Sequence, residues 1–99
     1  MKGRGASAAE AAEAVAIQAF SFIAGEPERL GGFLATTGIG PGEIRAASRE
    51  PGFLVGVLEY LLSDEALVTA FAAEAGLRPE DPAKALAALG GAPWEREVP

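Results

Sequence analysis

The chain has 99 residues, of which 49% are hydrophobic and 22% are charged, which is the balance of a single globular domain. Eight basic and fourteen acidic residues give a net charge of −6, and a field of that sign repels nucleic acid and anionic lipid. The sequence contains no Cys and no His, which excludes disulfides, thiolate nucleophiles, imidazole bases and the usual zinc ligand sets. Alanine, leucine and glutamate favour helix and β-branched residues are few, so the sequence predicts an all-α fold.

The two ends of the chain are predicted to be tails, at residues 1–6 and 92–99, on either side of a single helical domain at 7–91. The basic N-terminus resembles the start of a signal peptide, but Glu10 and Glu13 interrupt the apolar stretch that would follow it. No uncharged apolar run approaches the roughly 20 residues that span a bilayer. We therefore expect a cytoplasmic protein with no membrane partner.

The first two helices are marked by caps and breakers. Ser7, followed three residues later by Glu10, is a capping box, so the first helix is predicted to run from Ser7 to about Ala24, where a glycine follows. Pro27 suits the first turn of a second helix. That helix is expected to end at Gly38, a residue able to take the left-handed conformation of a C-terminal cap.

A third, short helix is predicted after the Gly-Pro-Gly run at 40–42, and Pro51 precedes a fourth helix at 52–62. The fourth helix is apolar on nearly every side, with Glu59 as its one charge. Such a helix is surrounded by others, so it is predicted to be the central, buried element. Gly52 and Gly56 on this helix predict a close crossing by another helix of the domain.

The last two helices follow the same kind of signals. Residues 63–65, Ser-Asp-Glu, are predicted to cap a fifth helix that ends at Gly76, and a sixth helix starts near Pro79 or Pro82 and stops at Gly90–Gly91. The predicted architecture is therefore an orthogonal bundle of five to six short helices.

The sequence also aligns with itself without gaps. Residues 15–47 fall on residues 53–85, 38 positions later, and both copies carry the pattern Phe-x-Ala-x-x-Gly-(Ile/Leu)-x-Pro. This alignment predicts two tandem three-helix units, each of which buries its apolar face against the other. The alternative is that any alanine-rich helical chain punctuated by Gly and Pro aligns with itself at some offset.

The segment 33–49 has the spacing of a helix-turn-helix, with a turn glycine followed by apolar Ile44 and Ala47. Arg45 and Arg49, four residues apart, predict a basic corner on its surface. An ordinary corner between two helices needs the same glycine and the same apolar residues. The overall acidity decides against DNA, because two arginines cannot supply the six to ten phosphate contacts that binding requires.

The remaining candidates are acidic pairs and two apolar side chains. Asp64–Glu65 and Glu80–Asp81 each fall in the first turn of a predicted helix, where helix capping explains them better than a metal or catalytic site. We therefore predict no catalytic, cofactor-binding or metal residue. Ile17 and Phe22 lie off the main apolar stripe of the first helix. If both are exposed, they form an apolar patch suited to a partner or a second subunit.

The most distinctive stretches of the sequence are residues 25–30, 33–35 and 37–39 in the first half, and residues 51–54, 57–58, 61–65 and 71–72 in the second. In these stretches the chain resembles the uncharacterised bacterial family DUF3572, a domain of unknown function. The similarity extends over about residues 12–91. The resemblance implies a short, all-helical protein of bacteria, and it supplies no activity, ligand or catalytic residue.

The function predicted from the sequence follows mainly from what the chain lacks. We expect a non-enzymatic protein–protein interaction or adaptor domain without a cofactor, binding an unidentified protein partner or forming a homodimer. The alternative is a DNA-associated regulator that uses the corner at 33–49. The sequence leaves open whether a small-molecule pocket exists.

Overall fold

The computed structural model describes residues 8–50 and 52–90. Those residues form six α-helices and no strand, so the all-α prediction is confirmed. A short 3-10 turn, Pro41–Glu43, precedes the third helix. The predicted cap at Ser7, the segments 1–6 and 92–99, and Pro51 lie outside the described residues. The helices are α1 (Ala8–Ala24), α2 (Pro27–Thr37), α3 (Ile44–Ala47), α4 (Phe53–Leu62), α5 (Glu65–Ala75) and α6 (Asp81–Gly90).

Two glycines end helices in the way that the sequence predicts. Gly38 after α2 and Gly76 after α5 have φ of 79° and 72°, and their N–H groups donate to the carbonyls of Leu34 and Ala72. Glycine adopts this left-handed conformation without the steric cost that a Cβ would impose. Each cap turns the chain sharply, so α2 and α5 are both followed by a change of direction.

The core lies around α1 and α4. Each of these helices packs on the other and also on α2, α5 and α6. Ala16, Ala19 and Ile23 of α1 are fully buried, and the small alanine side chains give α1 a narrow face on which other helices can approach closely. The predicted central helix, α4, therefore shares the centre of the bundle with α1.

Aromatic rings fill the centre of the bundle. Phe33 of α2 contacts the rings of Phe20, Phe53 and Tyr60 at centroid distances of 6.0, 5.9 and 5.6 Å, all edge to face. Edge-to-face pairs add about 0.5–1.5 kcal/mol each beyond the area they bury. Phe33, 1% exposed, therefore ties α1, α2 and α4 together.

The two halves of the chain follow the same helical plan at the 38-residue offset. The bounds Pro27–Thr37 of α2 fall on Glu65–Ala75 of α5, and the last residue of α1 falls on that of α4. The packing is reciprocal: Phe22 of α1 contacts Phe71 of α5, and the equivalent Tyr60 of α4 contacts the equivalent Phe33 of α2, both at 5.6 Å. An approximate twofold axis between the two halves would relate these two contacts, because each half then contributes the same positions.

The third helices break this relation. α3 has four residues and lies against the 3-10 turn, whereas α6 has ten residues and packs between α1 and α4. The prediction of two equivalent three-helix units thus describes α1–α2 and α4–α5 well and describes the third helices poorly. An ancestral duplication stays a prediction.

The predicted close crossing at Gly52 and Gly56 is wrong. A Cβ added to either glycine would meet no atom within 4 Å. The close approaches lie elsewhere: a Cβ on Gly32 would collide with the Tyr60 hydroxyl, and one on Gly90 would lie 3.6 Å from Cγ2 of Val55. Spacing along one helix cannot show which glycine a neighbouring helix meets.

A candidate partner-binding cleft between α1 and α5

The fold leaves a cleft of about 300 Å³ between α1 and α5, here called the α1–α5 cleft. Its walls come from residues one turn apart on each helix, because positions three and four apart share a helix face. The lining residues are Ile17, Gln18, Ser21, Phe22, Phe71, Glu74 and Ala75.

The floor of the cleft is aromatic and held in place. Phe22 and Phe71 are 7% and 1% exposed, and their rings meet at an interplanar angle of 59°. Arg29 of α2 lies over the Phe22 ring at 3.9 Å from its centroid, and its Nη1 donates to the Phe22 carbonyl at 3.3 Å. A stacked guanidinium fixes the ring plane through a cation–π contact.

Ile17 lies at the rim of the cleft and is 54% exposed. Among the described residues it is the one large hydrophobic side chain that is exposed. The sequence predicts an apolar patch only if Ile17 and Phe22 are both exposed, and Phe22 is buried. Phe22 lies three residues after buried Ala19 and beside Ile23, on the face that contacts Phe71 of α5. The two predicted interface residues line one cleft, with Ile17 at the rim and Phe22 at the floor.

The rim is acidic. Glu74 lines the cleft, and Glu13, exposed, lies one helical turn before Ile17 on the same face of α1. Over residues 8–50 and 52–90, the ion pairs join Arg29 to Glu26 at 3.9 Å and Arg78 to Glu80 at 3.6 Å. Neither pair uses Glu13 or Glu74, so both carboxylates face solvent beside an apolar side chain.

The positions equivalent to the cleft residues by the 38-residue offset lie on α2 and α4, and this surface is here called the α2–α4 groove. Tyr60 takes the place of Phe22, and Phe33 takes that of Phe71. Val55, which takes the place of Ile17, is partly buried, and Gly90 at the end of α6 lies against it. In the first half no helix of the described chain lies over Ile17 in this way. The remaining residues of the α2–α4 groove, by the offset, are Thr36, Thr37, Gly56 and Glu59.

The sequence prediction missed Phe71, Glu74 and Gln18 as members of the cleft. Phe71 is a buried core residue, but nothing in the spacing of α5 shows that α1 passes beside it. The 38-residue offset could have identified it. If the two halves pack reciprocally, a contact between Tyr60 and Phe33 implies an equivalent contact between Phe22 and Phe71.

The predicted basic corner lies on a different part of the molecule. Arg45 on α3 and Arg49 in the turn after it are both exposed. The helix-turn-helix interpretation of 33–49 fails, since α3 is four residues long and cannot act as a recognition helix. α3 ends at Ala47, shortly before Pro51, and helices usually end at or before the residue that precedes a proline. Before α3, residues 41–43 form a 3-10 turn.

The aspartate of each acidic pair accepts a backbone hydrogen bond near the start of a helix. The Asp64 carboxylate accepts a hydrogen bond from the Ala66 N–H at 2.9 Å, and the Asp81 carboxylate accepts one from the Arg78 N–H at 3.0 Å. These bonds satisfy backbone donors at the starts of α5 and α6. In the part of the chain that the structure describes, no group of three acidic side chains is placed to hold a metal ion.

The helices and the cleft define a small all-α bundle with an apolar, acid-rimmed surface groove. The family model described as "Protein of unknown function (DUF3572)" matches residues 9–92, and the chain belongs to that family. No curated protein and no solved structure matches the chain. None of the helices described here is both long and apolar enough to cross a membrane.

Proposed function

We propose that this protein is a non-enzymatic protein–protein interaction domain and that the α1–α5 cleft is its docking surface. The observation that carries the proposal is Ile17, a large apolar side chain left 54% exposed at the rim of a cleft with a fixed aromatic floor. Fully burying an isoleucine side chain contributes roughly 1.5–3 kcal/mol, so covering the exposed half would contribute about 1 kcal/mol to a complex. An anchor in a preformed pocket is typical of binding hot spots.

The chemistry of the chain favours binding over catalysis. The sequence has no Cys and no His, so the commonest nucleophile–base pairs cannot be built from it. The acids at positions 64 and 81 accept backbone hydrogen bonds as helix caps. The cleft itself offers an amide, a hydroxyl and one carboxylate around two phenyl rings, which suits recognition of an apolar side chain.

The test compares two surface variants that add the same charge. Ile17→Lys places a lysine at the rim of the α1–α5 cleft, and Thr36→Lys places one at an exposed position of the α2–α4 groove. Affinity capture from the native cell identifies proteins that the unmodified chain retains. Each candidate is then purified, and its Kd is measured against the unmodified chain and both variants.

We expect Ile17→Lys to weaken binding about fivefold or more and Thr36→Lys to change it less than twofold, because only the first removes the apolar anchor. Circular dichroism and urea unfolding of both variants provide the control for folding. Direct binding that is equally insensitive to both substitutions would place the interface elsewhere and overturn the proposal.

A further inference from the structure

The chain itself shows what kind of element covers this position. Val55, the equivalent of Ile17 in the second half, is covered by the end of α6, where a Cβ on Gly90 would lie 3.6 Å from the Val55 side chain. By the same relation Ile17 would be covered at the position equivalent to Gly90, which is Gly52, but α3 ends before it at Ala47. Ile17 therefore stands where the plan of the fold places the end of a helix, and the described residues supply none there.

The charges around the cleft indicate the composition of the missing helix. Glu74 lines the cleft and Glu13 lies one turn from Ile17, and neither takes part in an ion pair in the described ranges. A partner that places lysine or arginine beside its apolar anchor would meet both carboxylates. Complementary potentials of this kind raise association rates and select among partners.

The same charges disfavour a second copy of the chain. Each copy carries a net charge of −6, and a symmetric dimer through Ile17 would bring the two acidic rims together. Like charges facing each other at an interface cost binding energy.

We infer that the α1–α5 cleft binds an amphipathic helix of another protein, with an apolar anchor over Ile17 and Phe22 and basic residues facing Glu13 and Glu74. The inference deepens the proposed function and depends on it. Helix-in-groove recognition of this type uses apolar residues at i, i+3, i+4 and i+7 as anchors. Because the basic residues of the helix would meet exposed carboxylates, we expect the complex to be sensitive to salt.

The test uses two synthetic peptides of about 15 residues, long enough for partial helix formation in water. Both peptides carry the same leucine stripe on an alanine background, and the flanking positions are lysine in one and glutamate in the other. Binding to the full-length protein is followed by amide chemical shifts in heteronuclear NMR. Salt is varied at each titration.

We expect the lysine peptide to shift amides of α1 and α5 around Ile17 and Phe71, and to bind about tenfold more tightly than the glutamate peptide at low salt. The double variant Glu13→Gln, Glu74→Gln is expected to reduce that preference by about two- to fivefold, as partly exposed charge pairs do. Glu59→Gln, an exposed acid of the α2–α4 groove, is the matched control and should leave the preference unchanged.

Equal affinity for the two peptides, shifts confined to other helices, or no binding of the lysine peptide would overturn the inference. So would concentration-dependent dimerisation that Ile17→Lys abolishes, since the cleft would then hold a second copy. These results leave the interaction function standing if a purified partner still loses affinity with Ile17→Lys. If the partner's affinity is also unaffected, both proposals are wrong.

Discussion

The α1–α5 cleft and the α2–α4 groove are built from equivalent residues and differ in what lies over them. Each has a pair of aromatic rings 5.6 Å apart at its floor, and each has a branched apolar residue at its rim. In the groove, Val55 lies against the end of α6. In the cleft, Ile17 is 54% exposed.

The difference between the two regions comes from the third helix of each half. α6 is ten residues long and packs between the central helices, whereas its counterpart is a 3-10 turn and the four residues of α3, which ends shortly before Pro51. A fold that repeats its first two helices but not its third leaves one apolar position without cover. The following predictions test how far the equivalence of the two halves extends.

The largest expected change in the free energy of unfolding comes from replacing the buried phenylalanines Phe33, at the floor of the groove, and Phe71, at the floor of the cleft. Phe33 contacts three aromatic rings and Phe71 contacts one, that of Phe22. Replacing a buried phenylalanine by alanine costs about 3–5 kcal/mol, so we expect Phe33→Ala near the upper end and Phe71→Ala near the lower end. Urea unfolding measures both free energies.

If Phe33→Ala does not fold, Phe33→Leu and Phe71→Leu provide the same comparison with smaller losses. Equal losses at the two positions would show that the aromatic cluster around Phe33 adds nothing beyond burial.

The next effect concerns the two helix-ending glycines. Gly38→Ala and Gly76→Ala force a Cβ into the left-handed region at φ of 79° and 72°, which costs about 1–2 kcal/mol at each site. The two losses should agree, because the caps are equivalent. Gly31→Ala is the control: it lies inside α2 with open space around it and should stabilise the fold by about 0.5–1 kcal/mol. A loss at Gly38 without one at Gly76 would break the equivalence.

A smaller effect separates the starts of α2 and α5. The Asp64 side chain caps α5 by accepting from the Ala66 N–H, whereas Glu26, at the equivalent position before α2, makes no side-chain cap bond. We expect Asp64→Ala to lower the free energy of unfolding by about 1 kcal/mol and Glu26→Ala to lower it by less, since an exposed ion pair contributes little. Thermal unfolding at neutral pH makes the comparison, and a larger loss at Glu26 would contradict it.

The smallest effect concerns the residue that holds the cleft floor. Arg29 stacks on Phe22, and its equivalent in the second half is Leu67. Arg29→Leu removes the cation–π contact and the bond to the Phe22 carbonyl, so we expect a loss of about 0.5–1 kcal/mol. We also expect a change in the Phe22 ring signals by NMR, and ring signals identical to those of the unmodified protein would show that Arg29 does not position the floor.

The sequence predicted those features that local chemistry decides. Gly38 and Gly76 mark helix ends because few other residues adopt positive φ, and Asp64 marks a helix start because its carboxylate can reach a free N–H. The placement of Phe22 could not be obtained in this way, since the face that it shares with Ala19 and Ile23 is covered by a helix about fifty residues later in the chain.

The same reasoning explains the errors at Gly56 and at the third helix. Small residues on α4 suggested a close crossing, yet which helix approaches a glycine depends on the whole packing arrangement. Ile44 and Ala47 have helical spacing, and α3 does form there, but Pro51 stands where α6 has Leu89, and a proline disfavours a longer helix. The local signal sets the length of α3, whereas the exposure of Ile17 depends on how all the helices pack.

The most direct test of the interaction surface is site-specific photo-crosslinking in the native cell. A photoreactive amino acid is placed at position 17 in one variant and at exposed position 36, in the α2–α4 groove, in the other. The account predicts a discrete covalent adduct with another protein from position 17 and none from position 36. Adducts of equal yield from both positions, or none from position 17, would contradict it.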